Sequence, residues 1–295
     1  MYVKGNLIDI IIYSVLSVGI MTAINLAIFL YCPDLFQVIL PLLMFIPLLS
    51  VITTNFLISK RSLGSYGFVK GVVSVKYIVF VIVYPFIIIC FAIPFAYVLG
   101  IGIDFTFSRF YAYIAEIASI ANIPYELALQ LFMINAIIAP AINIFFAFGE
   151  EAGWRGFLLT RLEEEFDRTT AIILSGLIWG VWHWPLILLF GYDYTYDTRF
   201  LGAFLFLIFT VILGAFFSWL RFKTGSVLIP SLAHGTFNAY IGFGTFLFET
   251  ERIMGFPAGL LSILGLSLFL GLILYIDKKY SGLMAGKHSV LSTHV

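Results

Sequence analysis

Long apolar stretches, separated by short polar segments, make up most of the chain. Each stretch is close to the roughly 20 residues that an α-helix needs to cross the hydrocarbon core of a membrane. The third stretch is the longest and is interrupted by Pro85 and Pro94. The pattern predicts eight spans: Leu7–Leu30, Leu35–Ile58, Val72–Gly102, Glu126–Phe148, Thr169–Phe190, Phe200–Leu220, Ser226–Phe248 and Phe256–Ile276.

Two segments near these stretches need separate interpretation. The segment Asp104–Asn122 is short and mixed in polarity, so it suits the membrane interface better than a crossing. The first apolar run is too long for the core of a signal peptide and has no small-residue cleavage site, which predicts a retained span. We therefore divide one structural domain into amino-terminal helices (1–124), a helical core (125–276) and a cytosolic tail (277–295).

The composition supports a membrane protein. Of the 295 residues, 62% are hydrophobic and only 11% are charged, whereas soluble domains carry about 25% charged residues. Helices satisfy their backbone hydrogen bonds internally in lipid, which predicts an all-α polytopic fold. The net charge is zero, so nothing favours nucleic acid as a partner. Cys32 and Cys90 have no metal-binding spacing and predict no disulfide framework.

The distribution of Lys and Arg predicts the orientation. Of 16 such residues, 13 fall in one alternating set of loops and three, Arg109, Arg199 and Arg252, in the other. Because loops rich in positive charge stay in the cytosol, both termini are predicted to be cytosolic. The protein is thus expected in a prokaryotic plasma membrane.

A few polar residues remain inside the predicted spans. Glu150, Glu151 and Arg155 end the fourth span, His183 lies deep in the fifth, and His234 and Asn238 lie in the seventh. If the fourth helix continues to about Glu165 and the fifth begins near Thr169, a rise of about 1.5 Å per residue places Glu150 and His183 at the same height. Intramembrane ionisable groups usually mark function.

These residue types suggest hydrolysis. A carboxylate and an imidazole together remove a proton from water, so Glu150 and His183 are candidates for activating a nucleophile. His234 and Asn238, four residues apart on one helical face, are candidates for stabilising an oxyanion. Glu151 and Arg155 form an i, i+4 ion pair that supports the site. The serines here are ordinary residues of membrane helices, which favours direct attack by water on an amide.

Glycines accompany this site. Gly149, Gly153 and Gly156 form one helical stripe, and Gly176 and Gly180 lead towards His183. Small residues at such spacing are also common in simple helix packing within membranes. Both readings, packing and assembly of a site, remain open for them.

Three motifs resemble those of the CAAX-protease and bacteriocin-processing (CPBP, or Abi) family of intramembrane endopeptidases. "GEEAGWRGFLL" resembles its EExxxR motif, "SGLIWGVWHWPL" its FxxxH motif and "TGSVLIPSLAHGTFNA" its HxxxN motif. The similarity covers about Ala139 to Tyr240, with Trp179 where the second motif usually has Phe. No motif of the amino-terminal half is matched.

The resemblance implies an eight-helix fold whose site opens towards the cytosol. It implies that Glu150 and His183 activate water, that His234 and Asn238 stabilise the oxyanion, and that Glu151 and Arg155 complete the first motif. No cofactor or metal is expected. Type II prenyl-protein endopeptidases belong to this family, so the expected substrates are prenylated CAAX-type or bacteriocin-like peptides, and membrane lipids are the other expected partners.

Three alternatives stay open. The same hydrolase could hold zinc through Glu150, His183 and His234, with one position left for water. Chains of intramembrane Glu and His also serve transporters and proton relays, although the two similar halves typical of transporters are not seen here. Finally, an immunity protein without catalytic activity would keep the motifs for stability alone.

Overall fold

The computed structural model describes residues 3–60, 63–68 and 73–277, and this part of the chain is almost entirely helical. A two-residue strand β1 (Gly102–Ile103) pairs antiparallel with β2 (Phe248–Glu249). The predicted all-α class is therefore confirmed. The α-helices are α1 Val3–Tyr31, α2 Phe36–Leu43, α3 Ile46–Thr54, α4 Val75–Val98, α5 Ser108–Ala121, α6 Tyr125–Glu151, α7 Leu159–Glu165, α8 Arg168–Phe190, α9 Arg199–Thr224, α10 Leu228–Tyr240, α11 Gly244–Leu247 and α12 Leu260–Ile276.

Within the described residues, five helical segments are long and apolar enough to cross a membrane, or six if one bent pair counts as a span. The five are Asn6–Tyr31, Val75–Val98, Tyr125–Glu165, Arg168–Phe190 and Arg199–Thr224. Fewer helical segments are therefore long and apolar enough to be spans than the eight that were predicted. The eighth predicted span is represented by α12, an apolar helix of 17 residues. Val72, where the third span was predicted to begin, and the tail from 278 lie outside the described residues.

The second predicted span is bent by 56° between Pro33–Leu43 and Ile46–Ser59. Pro47 lies in the first turn of α3. A proline in the interior of a helix lacks the backbone N–H for the preceding turn, and its ring collides with the carbonyl four residues earlier. A straight helix through this position is therefore unfavourable, and the apolar stretch is divided into two pieces.

The seventh predicted span is also divided. The helix α10 ends at Tyr240, a short 3₁₀ segment Ile241–Phe243 and α11 follow, and β2 closes the run. Gly242 and Gly244 lie where the regular helix stops, and glycine costs about 1 kcal/mol relative to alanine in a helix. Apolar composition alone predicted a continuous helix, but the local backbone preference interrupts it. The predicted span is therefore not one regular helix.

The fourth and fifth spans form the predicted hairpin. The helix α6 continues through a π-helical segment, Ala152–Leu158, into α7 and ends at Glu165. Asp167 begins α8 and accepts hydrogen bonds from the backbone N–H groups of Thr169 and Thr170. The hydrogen bond from the Thr170 hydroxyl, together with these backbone hydrogen bonds, holds the pKa of the Asp167 carboxyl below its usual value. This N-cap fixes the start of α8. The heights of Glu150 and His183 along their helices were counted from the turn that precedes it.

Small residues let the helices of the core approach closely. A methyl group added at Gly176 would lie 2.6 Å from the Cα of Val211 in α9, and one added at Gly180 would lie 2.6 Å from the Thr210 hydroxyl. These two glycines therefore serve close packing of α8 on α9. The buried core continues from Ile10 in α1 to Phe269 in α12. The short helix α5 instead packs on α6 in a separate small cluster around Ile114.

Gly149 gives a test of this packing. An added Cβ there would lie 2.6 Å from the backbone oxygen of Met44 and 3.0 Å from the Cα of Phe45, so backbone atoms would have to move. We expect Gly149→Ala to lower the stability by about 1–3 kcal/mol, measured by unfolding in detergent. Gly19→Ala is the matched control, because an added Cβ at this exposed position meets nothing within 4 Å. An equal effect of both substitutions would contradict the packing.

Candidate functional site

The first motif lies where the long fourth helix changes its winding. Glu150 and Glu151 are the last residues of α6, and Arg155 lies in the π-helical segment. All three are buried, with exposed fractions of 2%, 0% and 1%. Single π-helical turns are rare and occur often at functional sites, because they shift the direction of the side chains that follow.

Glu151 connects the first motif to α10. Its Oε1 accepts a hydrogen bond from Nη1 of Arg155 at 2.8 Å and lies 2.9 Å from Nδ1 of His234. A carboxylate only accepts, so His234 donates its Nδ1 proton and keeps Nε2 as its free ring nitrogen. The guanidinium of Arg155 also lies 4.3 Å from the ring centroid of Trp179. The predicted pair of Glu151 and Arg155 is present and also orients His234.

Glu150 has partners of a different kind. Its Oε2 accepts hydrogen bonds from the indole N–H of Trp179 at 2.7 Å and of Trp154 at 3.2 Å. Within the part of the chain that the structure describes, no protein group donates a hydrogen bond to its second oxygen, Oε1. One oxygen is therefore held by two indoles, while the other is available to a small molecule in the cavity.

The hydrogen bond of His183 determines where its proton lies. Its Nδ1 is 3.0 Å from the backbone carbonyl oxygen of Trp179, one turn earlier in α8. A carbonyl oxygen accepts only, so Nδ1 carries the proton and, in the neutral ring, Nε2 carries the lone pair. Trp182 and Phe206 pack against the ring. The side chain is thereby held as a candidate base with its free nitrogen defined.

The four predicted reactive residues meet at one cavity. The cavity has a volume of about 300 Å³, and its wall includes Glu150, His183, His234 and Asn238. Glu150, His183 and His234 are buried, whereas Asn238 is exposed to the cavity space. Small-molecule sites usually have volumes of about 300–1,000 Å³. Three helices thus bring these groups to a shared space, as the heights along the sequence suggested.

The cavity extends towards one end of the helix bundle. Beyond His183 its wall is formed by Tyr192 and Asp193, which follow α8, and by Pro257 and Ala258, which precede α12. No residue of the turn between α7 and α8 is among the described residues that line it. If the termini are cytosolic, as the charges predict, this end is extracytosolic. The cytosolic opening of the site and the cytosolic termini stay predictions.

Asp193 is an acid in the cavity wall outside the apolar helices. Burial raises the pKa of its carboxyl from 3.8 to about 7, against the opposing effect of Arg252. Its backbone adopts a left-handed conformation with φ of 62°, which is uncommon for residues other than glycine, Asn and Asp. An acid held in this way binds its proton more tightly in the folded protein than in the unfolded chain.

The stability should depend on pH through this acid. Because the folded protein holds the Asp193 proton more tightly, the free energy of unfolding falls as pH rises from about 4 to about 7. Asp193→Asn removes this effect, so we expect the variant to gain melting temperature over the wild type, and to gain more at pH 8 than at pH 5. Asp197→Asn in the same loop is the control. A gain that is equal at both pH values would contradict the raised pKa of Asp193.

The sequence missed two residues of the site. Trp154 lies within the first motif, and Trp179 occupies the position where the second motif usually has Phe, a departure to which no role was attached. Both indoles donate to Glu150, which a phenylalanine ring does not do. Their spacing of four residues from Glu150 and from His183 is visible in the sequence, but spacing alone does not show which group an indole N–H donates to.

Comparison with known proteins agrees with the three motifs. Residues 129–240 match the family model described as "Type II CAAX prenyl endopeptidase Rce1-like". A stretch of 38 residues is 45% identical to the CAAX prenyl protease 2 of Methanococcus maripaludis, and this alignment covers 13% of the present chain and 14% of that relative.

The predicted family resemblance is therefore confirmed over residues 129–240, which are fewer than half of the 295 residues. The family is one of proteases, as expected from the motifs. With the long apolar helices, the match identifies the chain as an integral membrane protein.

Proposed function

We propose that this protein is an intramembrane endopeptidase in which Glu150 and His183 activate the water that cleaves a peptide bond. The observation that carries the proposal is the shared cavity, whose wall contains Glu150, His183, His234 and Asn238. The Rce1-like domain supports the protease class. Peptides are the proposed substrates, taken from the membrane environment in which the helices lie.

The proposed reaction begins with water next to Glu150 and His183. The free oxygen of Glu150 and the free Nε2 of His183 act together as the base that takes one proton from this water. At the same time the water oxygen bonds to the carbonyl carbon of the substrate. The carbonyl oxygen becomes an oxyanion as its double bond opens. The carbon–nitrogen bond then breaks, and the proton passes to the departing amine. A carboxyl product and an amine product result.

The oxyanion is proposed to lie next to α10. Asn238 donates from its side-chain amide, and an imidazolium form of His234 donates from Nε2 while Nδ1 remains bonded to Glu151. Donors fixed in advance and away from bulk water often stabilise a transition state by about 3–4 kcal/mol. Glu151 and Arg155 are positioning residues in this scheme, because they act on the substrate only through His234.

A zinc-dependent form is the second version of this hydrolase, with Glu150, His183 and His234 as ligands. Among the described residues, no group of three or more His, Cys, Asp or Glu is arranged to hold a metal ion. We propose the metal-free form, which the resemblance to the CPBP family implies. Elemental analysis of the purified protein tests this choice: stoichiometric zinc whose removal stops cleavage and whose return restores it would establish the zinc-dependent form.

Quantitative proteomics of membrane and secreted peptides tests the function as a whole. We compare cells that carry the wild-type protein with cells that carry His183→Ala at the same expression level. Uncleaved precursors should accumulate with His183→Ala. His288→Ala is the control, since it makes the same change at a histidine that the proposed mechanism does not use. Identical peptide profiles for the wild type and His183→Ala would favour the immunity protein without catalysis, and altered transport without cleavage would favour the transporter.

A further inference from the structure

The amino-terminal helix α1 lies against the helices of the site along one of its faces. Residues four apart share a face of a helix, and four such residues of α1 are buried: Asp9, Tyr13, Ser17 and Met21. At one end of this face, Asp9 forms an ion pair with Arg161 of α7 at 3.0 Å. At the other end, Met21 lines the wall of the cavity. The face therefore connects the charged end of the hairpin with the site.

Tyr13 is the residue of this face that contacts the π-helical segment. Its ring centroid lies 5.8 Å from that of Trp154, edge to face, and 5.0 Å from that of Phe157. Its hydroxyl lies against the backbone of Gly153, because a Cβ added there would overlap with the hydroxyl oxygen. The glycine in the first motif thus makes room for Tyr13, and three residues of one segment pack on a single side chain.

Trp154 and Trp182 extend this contact to both residues of the proposed base. The indole N–H of Trp154 donates to Oε2 of Glu150 at 3.2 Å. The ring of Trp154 also lies 6.0 Å from that of Trp182, which in turn lies 4.8 Å from the imidazole of His183. Both pairs are edge to face, a geometry that aromatic rings prefer. A rotation of the Trp154 ring would therefore disturb Glu150 and His183 together.

We propose that Tyr13 is a positioning residue of the site, which it acts on through Trp154. Its ring keeps the indole of Trp154 directed at Glu150, so that one oxygen of the carboxylate stays bound and the other stays free. The cavity wall in the described residues does not include Tyr13, so this side chain does not contact the substrate. The proposal rests on the proposed function for the role of Glu150. It makes α1, which lies outside the matched residues 129–240, a part of the site.

NMR spectroscopy of the indole N–H groups tests this proposal without catalysis. The chain has five tryptophans, so the full-length protein labelled with ¹⁵N-tryptophan gives one indole signal for each in lipid nanodiscs. Tyr13→Met removes the ring but fills part of its volume with a flexible side chain, whereas Tyr13→Phe keeps the ring. We expect the Trp154 signal to shift in Tyr13→Met and to stay near its wild-type position in Tyr13→Phe. An unchanged Trp219 signal shows that the fold is retained.

Tyr84→Met is the matched control for the loss of a buried ring. Tyr84 is as buried as Tyr13, but its ring packs on phenylalanines that include Phe216 and Phe269. The Trp154 signal should keep its wild-type position in this control. A signal that Tyr13→Met leaves in place, or that Tyr84→Met shifts equally, would overturn the proposal. If Tyr13→Met does not fold, nuclear Overhauser effects between the rings of Tyr13 and Trp154 are measured in the wild type, and their absence would overturn it as well.

The rate of cleavage separates positioning from simple packing. A misplacement of about 1 Å, caused far from the reacting atoms, lowers a rate by up to about 100-fold. We expect Tyr13→Met to lower kcat by about 10- to 100-fold with KM near the wild-type value, and Tyr13→Phe to retain most of the rate. A folded Tyr13→Met protein with wild-type kcat, or an equal loss of kcat in both variants, would overturn the proposal.

The two measurements distinguish this proposal from the proposed function. A shifted Trp154 signal in Tyr13→Met, together with cleavage at the wild-type rate by Glu150→Gln, would overturn the function of Glu150 and leave the contact of Tyr13 established. An unshifted signal, together with an inactive Glu150→Gln protein, would overturn the role of Tyr13 alone.

Discussion

Replacing Glu150 with Gln should reduce peptide hydrolysis by about 100- to 10,000-fold, the range that removal of a general acid or base usually produces. The substitution takes away the proposed base while it conserves the size and shape of the side chain. The measurement is the single-turnover rate of the purified protein in lipid, with a precursor identified by proteomics as the substrate. Substrate affinity is measured in the same preparation.

The hydrogen bonds of Glu150 make this substitution unusually informative. Both indoles donate to one oxygen, Oε2. The carbonyl oxygen of Gln accepts both bonds in the same way, and its NH₂ group takes the position of the unbonded oxygen. The fold should therefore remain, and the melting temperature should stay close to that of the wild type. A loss of activity in this variant is then caused by the loss of the proposed base and not by unfolding.

Glu126→Gln is the matched control for this experiment. It makes the same chemical change in the same helix, α6, at an exposed position in the first turn. Its rate should equal that of the wild type. A Glu150→Gln protein that folds, binds the precursor and cleaves it at the wild-type rate would remove Glu150 from the reaction and, with it, the proposed mechanism.

The fold was predictable where length and hydrophobicity decide it. The spans α1, α4, α6, α8 and α9 correspond to apolar runs of the required length, and lipid leaves few alternatives to a helix. The bent pair at Pro47 and the divided seventh span were not predicted. There the backbone preferences of proline and glycine act within an apolar background that carries no polar boundary. Hydropathy averages over such positions and therefore misses them.

The candidate site was predictable because placing a polar residue inside a membrane costs free energy, so such residues are rare there. Glu150, His183 and His234 were conspicuous among apolar neighbours, and helical rise placed Glu150 and His183 at one depth. The indoles of Trp154 and Trp179 were not predicted, since tryptophan counts as apolar and its single N–H is visible only once its partner is known. The π-helical winding of Ala152–Leu158 also leaves no pattern in the sequence that distinguishes it from an α-helix.

Replacing Glu151 with Gln should lower the stability by about 3–5 kcal/mol, the usual cost of breaking a buried ion pair from one side. Glu151 is fully buried and is the acceptor for both Arg155 and His234. Without its charge, the guanidinium of Arg155 stays buried without its anion. His234 also loses the acceptor that fixes its ring. Unfolding in detergent measures the first effect, and the rate of cleavage the second.

Glu164→Gln is the control for the loss of stability. Glu164 also forms an ion pair within this helical segment, with Arg161 at 3.2 Å, but its side chain is 33% exposed. Arg161 keeps a second anion, Asp9 at 3.0 Å, so the loss of the Glu164 charge leaves no buried cation without an anion, and this variant should unfold close to the wild type. Equal losses from Glu151→Gln and Glu164→Gln would contradict the importance of burial.

A double variant separates the lost charge from the lost contact. Removing both partners of a buried pair leaves no uncompensated charge, so Glu151→Gln with Arg155→Met should recover much of the stability that Glu151→Gln loses. Activity should not recover, because His234 still lacks its carboxylate. Recovery of both properties would mean that Glu151 serves only to neutralise Arg155. Recovery of stability alone is the result expected of a residue that positions His234 for the reaction.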